Sequence, residues 1–140
     1  PVAQADLPTA SRLSLPLENM RNVIDVLKEV SSVADFCGIE ATDVNTMGLF
    51  NNYPLHIVAV WGDSEAISLL VAAGARVNQR GEHGFTPLME AVGQGHFEAV
   101  KKLIALGAEP LPNDQGTRPS QYARISKNES LANYLDENGF

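Results

Sequence analysis

The sequence predicts an all-α solenoid of helix–turn–helix units that are joined by β-hairpin loops and preceded by a helical cap. The first supporting observation is a motif, Tyr-Pro-Leu-His at 53–56, which recurs as Thr-Pro-Leu-Met at 86–89. The second is that turn glycines recur at the same spacing. The third is an apolar helical stripe in each copy, which a single unit is too small to cover. Such units are stable only when they stack, so the copies are expected to form one elongated domain.

Glycines mark the turns of each copy. Gly62 and Gly74 recur as Gly95 and Gly107, in step with the motif. A third copy follows after a loop that is one position shorter, and there Lys127 replaces the turn glycine. We therefore predict three repeats, at about 42–74, 75–107 and 108–140.

The second copy shows how each unit is expected to fold. Thr86 is a good N-cap, and Pro87 suits the first helical position because no amide donor is needed there. After the turn glycine, Phe97, Val100 and Leu103 recur at helical spacing and form one apolar face. This pattern predicts a short helix, a tight turn and a second helix that packs against a neighbour.

The two ends differ from the repeats. Residues 1–16 are expected to be irregular, and residues 17–41 are expected to form an N-terminal helical cap whose first helix spans 17–30. The last helix, over 129–138, is expected to close the solenoid with one solvated face. The apolar residues of the first helix are predicted to share one face: Met20, Val23, Ile24 and Leu27.

This pattern resembles the ankyrin repeat family over about residues 42–140, and the segment 84–108 is close to the family consensus. Tyr53 and Arg118 stand where the family has a capping threonine, and Met89 stands where it has the histidine of its Thr-Pro-Leu-His box. The hydrogen-bond network of that box is therefore expected to be complete in no copy. The resemblance implies a protein-binding module whose partners contact the loop tips and the inner short helices.

The family's variable surface positions differ in chemistry between the first two copies. In the first copy they fall on Met47, Leu49, Phe50, Asn52 and Trp61. In the second copy they fall on Arg80, Glu82, His83, Phe85 and Gln94. Exposed apolar residues that include a Trp are typical of an interaction site. For Leu49 and Phe50, packing onto the N-terminal cap remains an alternative.

The sequence predicts no catalytic residue, no cofactor and no metal site. Cys37 is the only cysteine, which excludes an intrachain disulfide, and it is expected to be a small buried apolar residue. The resemblance assigns structural hydrogen bonds to His56 and His96. The three histidines lack the spacing that metal ligands show. We therefore predict that the protein is not an enzyme.

The charge is uneven along the chain. The net charge is −7, and residues 1–65 contain nine acidic residues against three basic ones. Phosphate backbones repel such a surface, so no nucleic-acid partner is predicted, and no apolar run reaches the roughly 18 residues of a membrane span. A basic protein partner and a monomer in the unbound state are expected. The cytoplasm is the expected compartment, with the periplasm as the alternative.

The leading functional hypothesis is a protein–protein interaction module. A narrower form of it is a bacterial immunity protein that binds and neutralises a cognate toxin. The compact length and the acidic first half favour that form, because many toxins are basic nucleases. The alternative is an accessory or scaffold protein that docks a partner enzyme.

Overall fold

The computed structural model describes residues 20–140, and the predicted irregular segment 1–16 lies outside the described residues. Seven α-helices follow one another there: α1 Val23–Ser31, α2 Pro54–Trp61, α3 Ser64–Ala72, α4 Pro87–Gln94, α5 Phe97–Ala105, α6 Pro119–Ile125 and α7 Glu129–Glu137. Short 3-10 turns lie at Ala34–Phe36, Leu49–Asn51 and Glu82–Gly84. None of the described helices is both long enough and apolar enough to cross a membrane.

The helices form two stacked rows, which confirms the predicted all-α solenoid. The inner row consists of α2, α4 and α6, and the outer row contains α1, α3 and α5, with α7 paired to α6. The described residues contain no β-strand, so the loops between repeats are turns rather than the predicted β-hairpins. Backbone hydrogen bonds close each loop, such as the 2.8 Å bond from the amide of Gly81 to the carbonyl of Phe85.

The core lies between the rows. The predicted stripe of α5 is confirmed, since Val100 and Leu103 are fully buried and Phe97 is partly buried against the core. Leu131 and Leu135 of α7 continue that core, while the other face of α7 is solvated. Burying each of these aliphatic side chains contributes roughly 1.5–3 kcal/mol, so stacking stabilises units that would be unstable alone.

The predicted apolar face of the first helix is correct for Leu27, which is buried, and for Val23, which packs against the core, but it is wrong for Met20 and Ile24. Residues 17–19 lie outside the described part, and α1 begins after Asn22, whose side chain caps the helix together with Asp25. Ile24 is 60% exposed, and Met20 is also exposed. The face that α1 presents to the core lies to one side of the predicted face and consists of Val26, Leu27 and Val30.

A basic side chain joins the cap to the first repeat. Arg21 contacts Glu29 on α1 at 2.9 Å and Asp63, the N-cap residue of α3, at 2.7 Å. It also contacts Glu65 at 3.2 Å. Arg21 therefore neutralises part of the acidic surface around the outer row. It forms no ion pair with Asp35, which lies near the inner row.

The helix-capping network is divided between copies. In α4 the hydroxyl of Thr86 accepts a hydrogen bond from the amide of Met89, at 3.3 Å. In α2 the amide of Tyr53 instead donates to Nδ1 of His56, at 3.1 Å. One copy retains the threonine and the other retains the histidine, which explains why both helices begin at the same register.

Two asparagines at equivalent positions of successive copies hold the loops in register. The side-chain amide of Asn45 donates to the carbonyl of Gly74, and that of Asn78 donates to the carbonyl of Gly107. The oxygen of Asn78 also accepts a hydrogen bond from the amide of Glu109, at 2.8 Å. These bonds link each loop to the next repeat and fix the spacing of the loop tips.

Candidate protein-binding surface

The first loop tip, residues 47–52, is referred to as the first finger. The amide of Gly48 donates to the carbonyl of Asn52 at 2.7 Å and closes the turn. Phe50 and Asn51 both adopt left-handed backbone conformations, with φ of 61° and 63°. Such conformations are uncommon for residues other than glycine, and a phenylalanine there is a feature associated with function.

The first finger packs on the cap through its backbone. A Cβ atom at Gly48 would lie 2.7 Å from the carbonyl oxygen of Asp35 and 2.9 Å from the ring of Phe36. Leu49 is exposed and Phe50 is 60% exposed. The alternative in which these two side chains are covered by the cap is therefore not what the structure shows. Their role in binding a partner remains a prediction.

The prediction that Asn52 faces a partner is wrong. Its side chain is 5% exposed. The amide nitrogen donates to the carboxylate of Asp35 at 2.9 Å, and the amide oxygen accepts from the backbone amide of Glu82 at 3.0 Å. Asn52 thus joins the cap, the first finger and the second finger. An amide that donates and accepts at once is suited to this position.

His56 has a structural role, as predicted. Nδ1 accepts from the amide of Tyr53, so the ring proton lies on Nε2, which donates to the carbonyl of Phe85 at 3.0 Å. Burial lowers the pKa of His56 to about 4. The ring is therefore neutral near pH 7 and ties the second finger to α2.

His96 is also structural. Its Nε2 donates to the carbonyl of Val60 at 2.9 Å, and its ring lies so close to Gly62 that a Cβ there would be 2.6 Å from Nδ1. His83, in contrast, is exposed at the tip of the second finger.

Cys37 is exposed, so the prediction that it is buried is wrong. It directly follows the 3-10 turn Ala34–Phe36, and the buried side chain of that turn is Phe36. Gly38 then reverses the chain with φ of 77°. This turn is short enough to bury only the side chain of Phe36, so the neighbouring Cys37 is exposed to solvent.

The second finger, residues 80–85, has the geometry of the first. His83 has φ of 56° and the next residue, Gly84, has φ of 74°. Its exposed side chains are polar: Arg80, Glu82 and His83. Phe85 is half-buried, and its ring meets that of Tyr122 edge-on, with 5.0 Å between centroids.

Two predicted residues lie at the ends of inner-row helices. Trp61 is the last residue of α2 and is 39% exposed, and Gln94 is the last residue of α4 and is exposed. The structure therefore leaves open to solvent most of the predicted binding positions: Met47, Leu49, Phe50, Trp61, Arg80, Glu82, His83 and Gln94.

Glu90 is a feature of the inner row that the sequence reasoning missed. It is half-buried in α4, and burial, followed by the charges of Glu82 and Asp35, raises its pKa to about 7. The signal was available, because the equivalent residue of the previous copy is the buried Ile57. A carboxylate in an apolar row attracts a cation or a proton.

Across residues 20–140, no group of three or more His, Cys, Asp or Glu side chains is placed to hold a metal ion. His56 and His96 are committed to backbone hydrogen bonds. What the fold offers a ligand is the pair of fingers and the ends of the inner helices.

Several curated proteins are similar to this chain. Protein phosphatase 1 regulatory subunit 27 from Mus musculus is 33% identical over 93 residues, which cover 66% of this chain and 60% of that protein. The Homo sapiens protein of the same name is 42% identical over 67 residues, covering 47% and 44%. Tyrosine-protein kinase Shark from Drosophila melanogaster is 33% identical over 94 residues, covering 66% of this chain and 10% of the kinase. The chain thus spans less than two thirds of these relatives.

A family model for ankyrin repeats, in three copies, matches residues 20–114. The match begins just before α1 and ends before α6, whereas the repeats predicted from the sequence begin at residue 42 and continue to residue 140. Those repeat boundaries stay predictions. The family match agrees with the paired helices and with the regular register of the copies. The chain belongs to the ankyrin repeat family and is a protein–protein interaction module.

Proposed function

We propose that this protein is a non-catalytic accessory module that docks a partner enzyme through the first finger and Trp61, the last residue of α2. The observation that carries the proposal is the exposure of Phe50 on a left-handed turn, beside other apolar residues. The docking surface consists of Met47, Leu49, Phe50 and Trp61. Exposed apolar side chains on a fixed backbone are suited to filling a pocket on a partner.

Charge supports a partner with a basic face. The described residues 20–65 contain seven acidic residues and two basic ones, and one of the two, Arg21, is already paired with acids. Near the fingers, the charges of Glu82 and Asp35 both contribute to the raised pKa of Glu90. A basic partner would associate faster at low salt, because opposite charges steer its approach.

The relatives favour an enzyme as the partner. Two of them are, by name, regulatory subunits of protein phosphatase 1. That phosphatase is consequently the first candidate to test. The narrower hypothesis, a bacterial immunity protein that neutralises a basic toxin, is supported by the acidic first half alone, and the relatives named above come from animals.

The proposal is tested by capturing partners from the source organism on the immobilised chain and identifying them by mass spectrometry. Wild type and Phe50→Ala are compared, with Ile24→Ala as the matched control, because Ile24 is equally exposed but lies on α1. We expect an enzyme that is lost with Phe50→Ala and retained with Ile24→Ala. Capture of a toxic nuclease whose activity is abolished would select the immunity hypothesis. Equal capture by both variants would contradict the proposed surface.

A further inference from the structure

We propose that a pocket between the second and third repeats binds an arginine side chain of the docked partner. This inference rests on the proposed function, since the arginine belongs to the partner protein. It adds a second anchoring point that lies outside the first finger and has its own chemistry. The pocket encloses about 400 Å³ between the second finger, α6 and the loop that precedes α6.

Two aromatic rings and an aliphatic side chain line one part of this pocket. Phe85 and Tyr122 meet edge-on, with ring planes at 80°, and both residues line the pocket. Ile125 lines the same pocket and is 66% exposed, which is unusual for an isoleucine on an inner-row helix. These groups form an apolar wall that is open to a ligand.

The other lining residues are polar: His83, Asn113, Asp114, Gln115 and Thr117. Among them, Asp114 carries a carboxylate, Gln115 an amide and Thr117 a hydroxyl. The nearby guanidinium of Arg80 is bonded to the carbonyl of Pro112 at 2.5 Å, and Arg80 is not among the lining residues. The pocket therefore combines aromatic surface with a carboxylate and further acceptors.

The pocket walls are held in place before any ligand binds. The Tyr122 ring rests on Gly93, where a Cβ would lie 2.8 Å from the ring edge. The amide of Asp114 donates to the carbonyl of His83 at 3.1 Å and joins the two loops. The side-chain oxygen of Asn113 accepts from the amides of the following loop residues, at 2.9 and 3.0 Å. A preformed pocket loses less entropy when it binds.

Arginine is the side chain whose chemistry matches both the aromatic residues and the oxygen-bearing residues of the lining. Its planar guanidinium stacks on aromatic rings, and its five N–H donors can reach a carboxylate and neutral oxygens at once. Its methylene stem can cover Ile125. A purely apolar side chain would desolvate the Asp114 carboxylate without a compensating bond, and a lysine would lose the planar stacking.

The test is a titration of the ¹⁵N-labelled full chain with the peptide acetyl-Gly-Arg-Gly-amide, followed by amide chemical shifts. The matched control peptide carries citrulline, which keeps the shape of arginine and removes its charge, and a third peptide carries leucine. We expect saturable shifts at Phe85, Asp114, Thr117 and Tyr122 with the arginine peptide. Binding of the citrulline and leucine peptides should be weaker by about tenfold.

A substitution at Asp114 measures the contribution of its carboxylate to binding. Asp114→Asn keeps the shape of the side chain. It should weaken binding of the arginine peptide by about tenfold and leave binding of the citrulline peptide unchanged. An unchanged amide spectrum away from the loop shows that this variant is folded. Shifts that do not saturate, shifts elsewhere, or equal binding of the leucine peptide would overturn the proposal. Because no partner protein is used, such a failure leaves the Phe50 capture result standing, and a failure of capture leaves this titration interpretable.

Discussion

The first and second fingers share a backbone and differ in chemistry. In each, the amide of a glycine donates to a carbonyl across the turn, at 2.7 Å in the first and 2.8 Å in the second. Phe50 and His83 occupy equivalent left-handed positions, with φ of 61° and 56°. The first finger is apolar at its tip, and the second is polar. The repeat thus determines the shape of the loop, and the exposed side chains determine what the loop can bind.

The fingers also differ in their support. The first rests on the cap through Gly48, and Asn52 joins it to the second finger. The second is joined to the third loop by the backbone of Asp114 and by the guanidinium of Arg80. Each finger is therefore braced by both neighbours along the solenoid, and a change in a shared support should affect both.

The largest expected effect comes from the shared support at His56. His56→Ala should lower the free energy of unfolding by about 3 kcal/mol, because it leaves a cavity and removes the partners of the Tyr53 amide and the Phe85 carbonyl. Urea unfolding measures this loss. The exposed His83→Ala should change stability by less than about 0.5 kcal/mol. A loss below about 1 kcal/mol for His56→Ala would contradict the structural role.

A second substitution, at Gly84, should destabilise only the second finger. Gly84→Ala should cost about 2 kcal/mol, because φ is 74° and the new Cβ would lie 2.9 Å from the backbone nitrogen of Asp114. Gly116→Ala is the matched control: φ is 80°, and among the described residues nothing lies within 4 Å of its Cβ position. Thermal unfolding should show a larger loss for Gly84→Ala. Equal losses would mean that crowding by Asp114 adds nothing.

The raised pKa of Glu90 predicts that the free energy of unfolding depends on pH. The pKa of Glu90 is about 7 in the folded chain, against an ordinary value of 4.5. Between those two values the unfolded chain releases a proton that the folded chain retains, so stability falls as pH rises from 4.5 to 7. Since Glu90 is partly solvated, the loss should be about 1 kcal/mol.

Glu90→Gln should remove that loss. Above pH 7 the variant should be more stable than wild type, and the difference should shrink toward pH 4.5. The lowered pKa of His56, about 4, makes stability rise with pH in both proteins. This contribution therefore cancels when the variant is compared with wild type. A difference between variant and wild type that stays constant across this pH range would exclude this account of Glu90.

The smallest expected effect is a gain. Asn51 has φ of 63°, at the position where the second finger has Gly84. Asn51→Gly should stabilise the chain by about 0.5 kcal/mol, because glycine adopts the left-handed conformation without steric cost. Thermal unfolding of the variant tests this, and a lowered melting temperature would show that the Asn51 side chain itself supports the finger.

The repeating part of the fold is predictable from the sequence. The regular spacing of the copies, the Pro at the start of each inner-row helix and the apolar stripe of α5 depend on local periodicity, and the structure contains all three. The face of α1 was not predictable in this way. Ile24 and Val26 are equally apolar, and only packing against α2 and α3 determines which of them is buried.

The candidate site was predictable only in part. Phe50 and Trp61 are exposed, as expected for positions that the family leaves open, and their role in binding stays a prediction. Asn52 occupies such a position too, but its partners Asp35 and Glu82 lie 17 and 30 residues away, and no local pattern reveals those bonds. Burial at such a position follows from long-range hydrogen bonding, which a single sequence does not display.

The central claim is that the tip of the first finger contributes more to the binding energy for the partner than the tip of the second finger does. Isothermal titration of the captured partner with wild type, Phe50→Ala and His83→Ala tests it directly. Phe50→Ala should weaken binding by more than about tenfold with little change in melting temperature, since a buried aromatic anchor contributes about 2 kcal/mol or more. His83→Ala, at the equivalent position of the second finger, should weaken binding by less than about threefold. Unchanged affinity for Phe50→Ala, or an equal loss for His83→Ala, would contradict the claim.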